Sequence, residues 1–152
     1  MCIRDSYRTV PTKAHLLAIL LETLTDRLGA EAAAIAGATD RSARERLLGL
    51  VELHLDAAVH MRDYFFVWSA FDQLPPQART HFQRWNRRYE RLWVDTVAAS
   101  MDAGEYRRAD PRAAARLLLG MCNWVSRWYR PDDGMSPEDI AAAARALLEP
   151  RD

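Results

Sequence analysis

The chain has 152 residues, a formal net charge of zero, 49% hydrophobic and 28% charged residues, and two cysteines. That composition fits one globular domain large enough to bury a core, and it excludes a chain-wide nucleic-acid clamp. It also excludes a disulfide scaffold, and with no run of about eighteen apolar residues it excludes a membrane-spanning helix.

Residues 1–6, MCIRDS, fit no helix or strand period and have no apolar core, so no signal peptide is read there. Pro11 breaks what precedes it, and Thr12 is placed to cap a helix carrying Leu16, Leu17, Leu20, Leu21, Leu24 and Leu28. Gly29 is expected to end that helix. Lys13, the only lysine, falls in the first turn, the wrong end of the helix dipole for a cation. An anion shared with the helix N-terminus and a solvated side chain both account for it.

Residues 30–39 are alanine-rich and read as a weak helix or a loop. Asp40 or Ser42 caps the next helix, which runs to about Met61 with Leu47, Leu48, Val51, Leu55, Ala58 and Val59 on its apolar face. Leu50, Leu53 and Met61 widen that face, so burial on two sides is expected. His54 and His60 are six residues apart, which is wrong for a shared metal site on a helix, and both read as ordinary partly buried histidines.

A short helix over residues 64–74 carries Tyr64, Phe65, Phe66, Trp68 and Phe71. Pro75-Pro76 ends it and starts the longest helix, about residues 77–102, with Phe82, Trp85, Tyr89, Leu92, Trp93, Thr96, Val97 and Met101 on its inner stripe. Tyr64, Phe65, Trp68, Phe71, Phe82, Trp85, Tyr89 and Trp93 are more large rings than a small core needs, so as a set they are the candidate walls of an apolar pocket. Arg79, Arg84, Arg87, Arg88 and Arg91 lie mainly outside the stripe and read as a solvated face.

Gly104 closes the long helix, and Asp110-Pro111 caps and starts the next, residues 112–128. There Leu117, Met121, Trp124, Val125 and Trp128 recur at helical steps. A turn at residues 129–134 leads to Ser136-Pro137 and a last helix, residues 136–148. Two apolar helices joined by a tight turn are either core or a dimer contact. Every segment reads helical, so the fold class is all-α. No HExxH, glycine-rich phosphate loop, GxSxG or CxxC is present, and Cys122 has no histidine near it in sequence. No catalytic residue, metal ligand or cofactor is therefore assigned, and both cysteines read as reduced thiols of a cytoplasmic protein.

Residues 7–17, YRTVPTKAHLL, resemble the junction after the recognition helix of TetR-type repressors. Tyr7, Pro11, Thr12, Lys13, Leu16 and Leu17 match; Val10 and Ala14 depart from the usual phenylalanine and acid. The segments Gly104-Glu105-Tyr106-Arg107, Asp110-Pro111, Gly120-Met121-Cys122-Asn123-Trp124, Trp128-Tyr129-Arg130-Pro131 and Ser136-Pro137-Glu138-Asp139-Ile140-Ala141 are similar to the ligand-binding domain of the KstR and FadR branch. The resemblance implies an orthogonal helical bundle whose last two helices form a four-helix homodimer contact through Leu117, Trp124, Val125, Trp128, Ile140, Ala144 and Leu147. It adds Leu118 and Met121 to the pocket wall, an acyl-CoA or similar small hydrophobic ligand, and Arg84, Arg87, Arg88 and Arg91 as candidate phosphate contacts. Tyr7 and Lys13 match positions that touch DNA phosphates. Residues 1–11 would be the stub of a helix-turn-helix domain and residues 12–150 the ligand-binding and dimerisation domain, so operator DNA is expected as a partner only of a full-length form. A ligand-free dimerisation module and a small helical enzyme are the alternatives.

Overall fold

The computed structural model describes residues 12–62 and 71–149. Tyr7, Tyr64, Phe65 and Trp68 lie outside the described residues. Among the described residues all regular structure is helical: α1 (Lys13–Ala36), α2 (Ala43–His60), α3 (Pro76–Asp102), α4 (Pro111–Trp128) and α5 (Pro137–Leu148), with one 3-10 turn at Phe71–Gln73.

The starts follow local chemistry. Thr12 accepts from the His15 N–H, and Asp110 accepts from the Ala113 N–H at 2.7 Å. Ser42 with Glu45 and Ser136 with Asp139 form reciprocal capping boxes. Each cap contributes about 1 kcal/mol.

Two local expectations are corrected. Helix α1 does not stop at Gly29; it continues to Ala36 and is capped at Gly37. Gly29 has no positive φ, and its role is steric: a Cβ there would sit 2.8 Å from Nε1 of Trp85, so its bare backbone lets α1 approach α3. The end of the aromatic segment is a 3-10 turn, closed by the Leu74 N–H to the Phe71 carbonyl. Leu74 precedes a proline, whose ring disfavours the α region for the residue before it.

Helix α2 is the axis of the domain and touches all four other helices. Its buried residues, Leu47, Leu48, Leu50, Val51, His54, Leu55, Ala57 and Ala58 among them, span about half of its circumference, and Glu45, Asp56 and His60 are exposed on the opposite face. Such a helix is held by several partners on one broad face, wider than a single amphipathic stripe. Helix α1 packs on α2 and α3, α4 packs on α2 and α3, and α5 packs on α2. Glu90 of α3 ties α4 through Arg116 at 2.8 Å and Arg112 at 3.5 Å, and Glu52 of α2 pairs with Arg145 of α5.

Candidate functional site

Three features divide the residues singled out above. The first is a row of rings along α3. Phe71, Phe82, Trp85, Tyr89 and Trp93 follow one another with centroids 4.7–6.4 Å apart, and the Trp85–Tyr89 pair is stacked at 4.7 Å. Steps of three and four residues bring Phe82, Trp85, Tyr89 and Trp93 onto one inner face of α3, and Phe71 reaches Phe82 from the turn before it. Phe82, Trp85, Tyr89 and Trp93 belong to the packed core. Trp85 and Tyr89 border a small recess of about 290 Å³ against α1, and Trp93 is fully buried. Among the described residues, the rings of α3 are packed between α1, which comes in close over Gly29, and α2.

His54 ends this row. Its ring stands edge-on to Trp93 at 5.8 Å, its Nδ1 lies 2.9 Å from the Tyr89 hydroxyl, and its Nε2 lies 2.7 Å from Asn123 Oδ1. As Asn123 is oriented, Nε2–H donates to Oδ1 and Nδ1 accepts from the Tyr89 hydroxyl. The three side chains thus join α2, α3 and α4 through a hydrogen-bonded node inside the core. Burial pushes the His54 imidazole below its ordinary value, only partly opposed by the Asn123 hydrogen bond. Burial likewise raises the Tyr89 phenol and pushes the Cys122 thiol up to about 12, leaving it a protonated core group.

That node predicts a pH signature. Between the lowered folded pKa of His54 and about 6.5 in the unfolded chain, the unfolded state holds a proton that the folded state lacks. Stability is full above that window and falls as pH drops through it, by at most about 1.4 kcal/mol per pH unit. Urea unfolding at neutral pH and in mild acid should show the loss, and His54→Gln should flatten the slope above the carboxylate range; an unchanged slope would refute the assignment.

The second feature is the outer face of α4. An α-helix turns about 100° per residue, so Leu117, Trp124 and Trp128 fall on one narrow stripe while Val125 points well away from it. The structure separates them in that way: Leu117 is 76% and Trp124 66% exposed, whereas Val125 is buried. Ile140 and Ala144 of α5 are also buried within the single chain, and Leu147 is 78% exposed. Val125, Ile140 and Ala144 are thus core residues that hold α4 and α5 to the domain. Leu117, Trp124, Trp128 and Leu147 are the members of the expected contact set that reach the surface.

The third feature is a groove of about 770 Å³ beside that stripe. Its apolar walls include Leu47 of α2, Val97 and Met101 of α3, Leu118 and Met121 of α4, and Leu148 of α5. Leu117 and Leu147 stand where the groove meets the exposed face. Of the expected pocket residues, Leu118 and Met121 line it; Phe71, Trp85, Tyr89 and Trp93 do not. None of Arg84, Arg87, Arg88 and Arg91 reaches it either; all four are exposed, and Arg88 and Arg91 border a separate recess with Arg46.

The polar end of the groove is built by the link after α3. Gly104, at φ +76°, lets the chain close a Schellman turn in which the Glu105 N–H donates to the Ser100 carbonyl and the Gly104 N–H to the Met101 carbonyl. The turn delivers the Glu105 carboxylate to the start of α2, where it accepts the Arg44 backbone N–H at 2.7 Å. That carboxylate satisfies an orphan donor and lies at the positive end of the α2 dipole. The anchored link presents Tyr106 and Arg107 to the groove. Sequence reading missed the His54 node and the Glu105 cap because their partners lie 35 to 69 residues away. The apolar neighbours of His54 at helical spacing were the one available sign that its ring would be buried.

Lys13 is exposed in the first turn of α1. Among the described residues no group of three or more metal-ligating side chains comes together, and no helix is long and apolar enough to cross a membrane.

The sequence matches the family described as tetracyclin repressor-like, C-terminal domain, over residues 40–149. The fold is similar to a TetR/AcrR-family transcriptional regulator from Thermobifida fusca YX-ER1, at 25% identity and a TM-score of 0.81, over 95% of this chain and 76% of that one. It is also similar to the ketosteroid transcriptional regulator KstR2 of Mycobacterium tuberculosis, at 21% identity and a TM-score of 0.82, over 95% of this chain and 75% of that one. A third similar structure is AibR in complex with isovaleryl coenzyme A and operator DNA, at 18% identity and a TM-score of 0.82, over 98% of this chain and 81% of that one. No curated protein matches the sequence.

Proposed function

The chain belongs to the tetracyclin repressor-like C-terminal domain family, and from that premise we propose that it is the effector-sensing and dimerising body of a TetR-type transcriptional repressor. Its ligand is an acyl-CoA or a similar small hydrophobic molecule, its partner is a second copy of the chain, and it works in the cytoplasm. AibR, which shares the fold, holds isovaleryl coenzyme A, in keeping with an acyl-CoA ligand. Operator DNA is a partner of a form that carries a helix-turn-helix. There Tyr7 and Lys13 would touch phosphates, which position a protein on DNA without reading its sequence.

The observation that carries the reading is the double use of α4. One edge of the helix, with Leu118 and Met121, walls the apolar groove, and the adjacent stripe, with Trp124 and Trp128, is left open to solvent. Tryptophans on an exposed helix face are the side chains most often found at the energetic centre of an interface. The two helix pairs would meet about a two-fold axis, each presenting Leu117, Trp124, Trp128 and Leu147. A ligand that holds α4 in one of two positions then changes how the two copies sit together, which is coupling through differential affinity for two states.

The packed ring row favours a second reading, a dimerisation module without a ligand, because Phe82, Trp85, Tyr89 and Trp93 are themselves core residues. Native mass spectrometry of the chain with a panel of acyl-CoA thioesters separates the two. A dimer retaining thioester is expected; a dimer that retains none of the panel supports the module, and a monomer overturns both. Thioester turnover would instead point to an enzyme.

A further inference from the structure

The Tyr106 hydroxyl is buried beside the Arg44 guanidinium, which can only donate to its oxygen, and its own proton has no acceptor among the described residues. A buried hydroxyl proton without an acceptor is uncommon, and it lowers the stability of the fold unless something else supplies one. Tyr106 lies at the polar end of the apolar groove, on a link fixed by the Gly104 turn and the Glu105 cap. The other polar groups around it are mostly engaged. Glu105 is bound to the Arg44 N–H, and Glu149 lies 3.8 Å from the Arg44 guanidinium. Arg107 borders the groove, is exposed, and forms no ion pair among the described residues.

We propose that this groove is the effector site, and that it takes an apolar chain ending in a carbonyl oxygen. The chain lies along Leu118, Met121, Val97 and Leu148. The carbonyl oxygen accepts the Tyr106 hydroxyl, and Arg107 meets negative charge at the mouth. The inference rests on the ligand-sensing reading and adds to it the seat, the donor and the cation. Both a thioester and a free carboxylate present that oxygen, with negative charge on the CoA phosphates in one case and on the head itself in the other. Burial also raises the Tyr106 phenol, which keeps it a proton donor.

The test uses the whole chain. Calorimetric titration with butyryl-, octanoyl- and lauroyl-CoA and with the matching free acids reads the affinity. Tyr106→Phe keeps the ring and removes the donor, and it should weaken binding about five- to tenfold. The same variant should change the folding equilibrium of the ligand-free chain by less than about fivefold, or about 1 kcal/mol, because the Tyr106 proton has no acceptor to lose and the exposed end of Arg44 can turn to water; a purely structural tyrosine would lose stability and leave binding unchanged. Leu118→Trp fills the groove and should weaken binding by more than about tenfold while the chain remains a dimer. Thioesters binding alone identify the thioester carbonyl, and equal binding by the acids identifies the carboxylate; either supports the site. Ligand binding that neither variant changes overturns the site and leaves the sensing reading standing. No binding by the unmodified chain overturns both. If Leu118→Trp instead splits the dimer, the groove is occupied by the second copy, and the small-ligand site is overturned.

Discussion

Trp124→Arg is expected to turn the dimer into a monomer without unfolding it. Trp124 makes no demand on the single chain: two thirds of its surface is open. Substitutions at such positions change folding stability by no more than about 0.5 kcal/mol. At the centre of the proposed two-fold contact, the same change removes a large ring and places two guanidinium groups near each other in a region shielded from water. The lost ring alone costs about 2 kcal/mol or more, and the like charges add to it. A rise in the dimer dissociation constant of more than about a hundredfold follows. Sedimentation velocity at micromolar concentration checks the state, and thermal unfolding checks the fold. An intact dimer would refute the placement. Val125→Arg is the contrasting variant. One residue along the helix but buried against the core, it should unfold the chain rather than split a dimer.

Trp93→Ala is expected to destabilise the fold by about 3–5 kcal/mol, a large share of the margin of a domain this size. Trp93 has no exposed surface and packs against Tyr89 and the edge of His54. Its removal leaves a cavity at the junction of α2 and α3 and loosens the node that also holds α4 through Asn123. Chemical denaturation reads the loss directly. If the aromatic row were a ligand pocket, the change would cost little stability and would widen the range of ligands accepted. A loss below about 1 kcal/mol would therefore restore the pocket that the ring-rich sequence suggested.

How much of this was legible beforehand differs by element. The caps at Thr12, Asp110 and Ser136, the choice of Asp40 or Ser42 for α2, and the proline starts of α3, α4 and α5 were readable, because a helix start is a contract among four neighbouring residues. Gly29 was misread because a glycine after a leucine-rich stretch has the local pattern of a stop. What kept the helix running was Trp85, far along the chain. The periodicity of α4 marked an apolar face but joined Trp124 with Val125, since three-and-four spacing describes an arc too wide to divide without knowing where α2 and α5 lie.

The amino-acid sequence by itself determined an all-α domain, its order of helices, their capped starts and the resemblance that the family match bears out. These depend on short-range spacing and on residue types at turns. Tertiary structure alone decided which apolar residues were spent inside. It sent the rings of α3 into the core, turned the stripe of Leu117, Trp124 and Trp128 outward, and opened the groove between α4 and α5 under an anchored Tyr106. Burial is a property of what packs against a side chain, and the helices that pack here come from distant parts of the chain. No local pattern could carry that information.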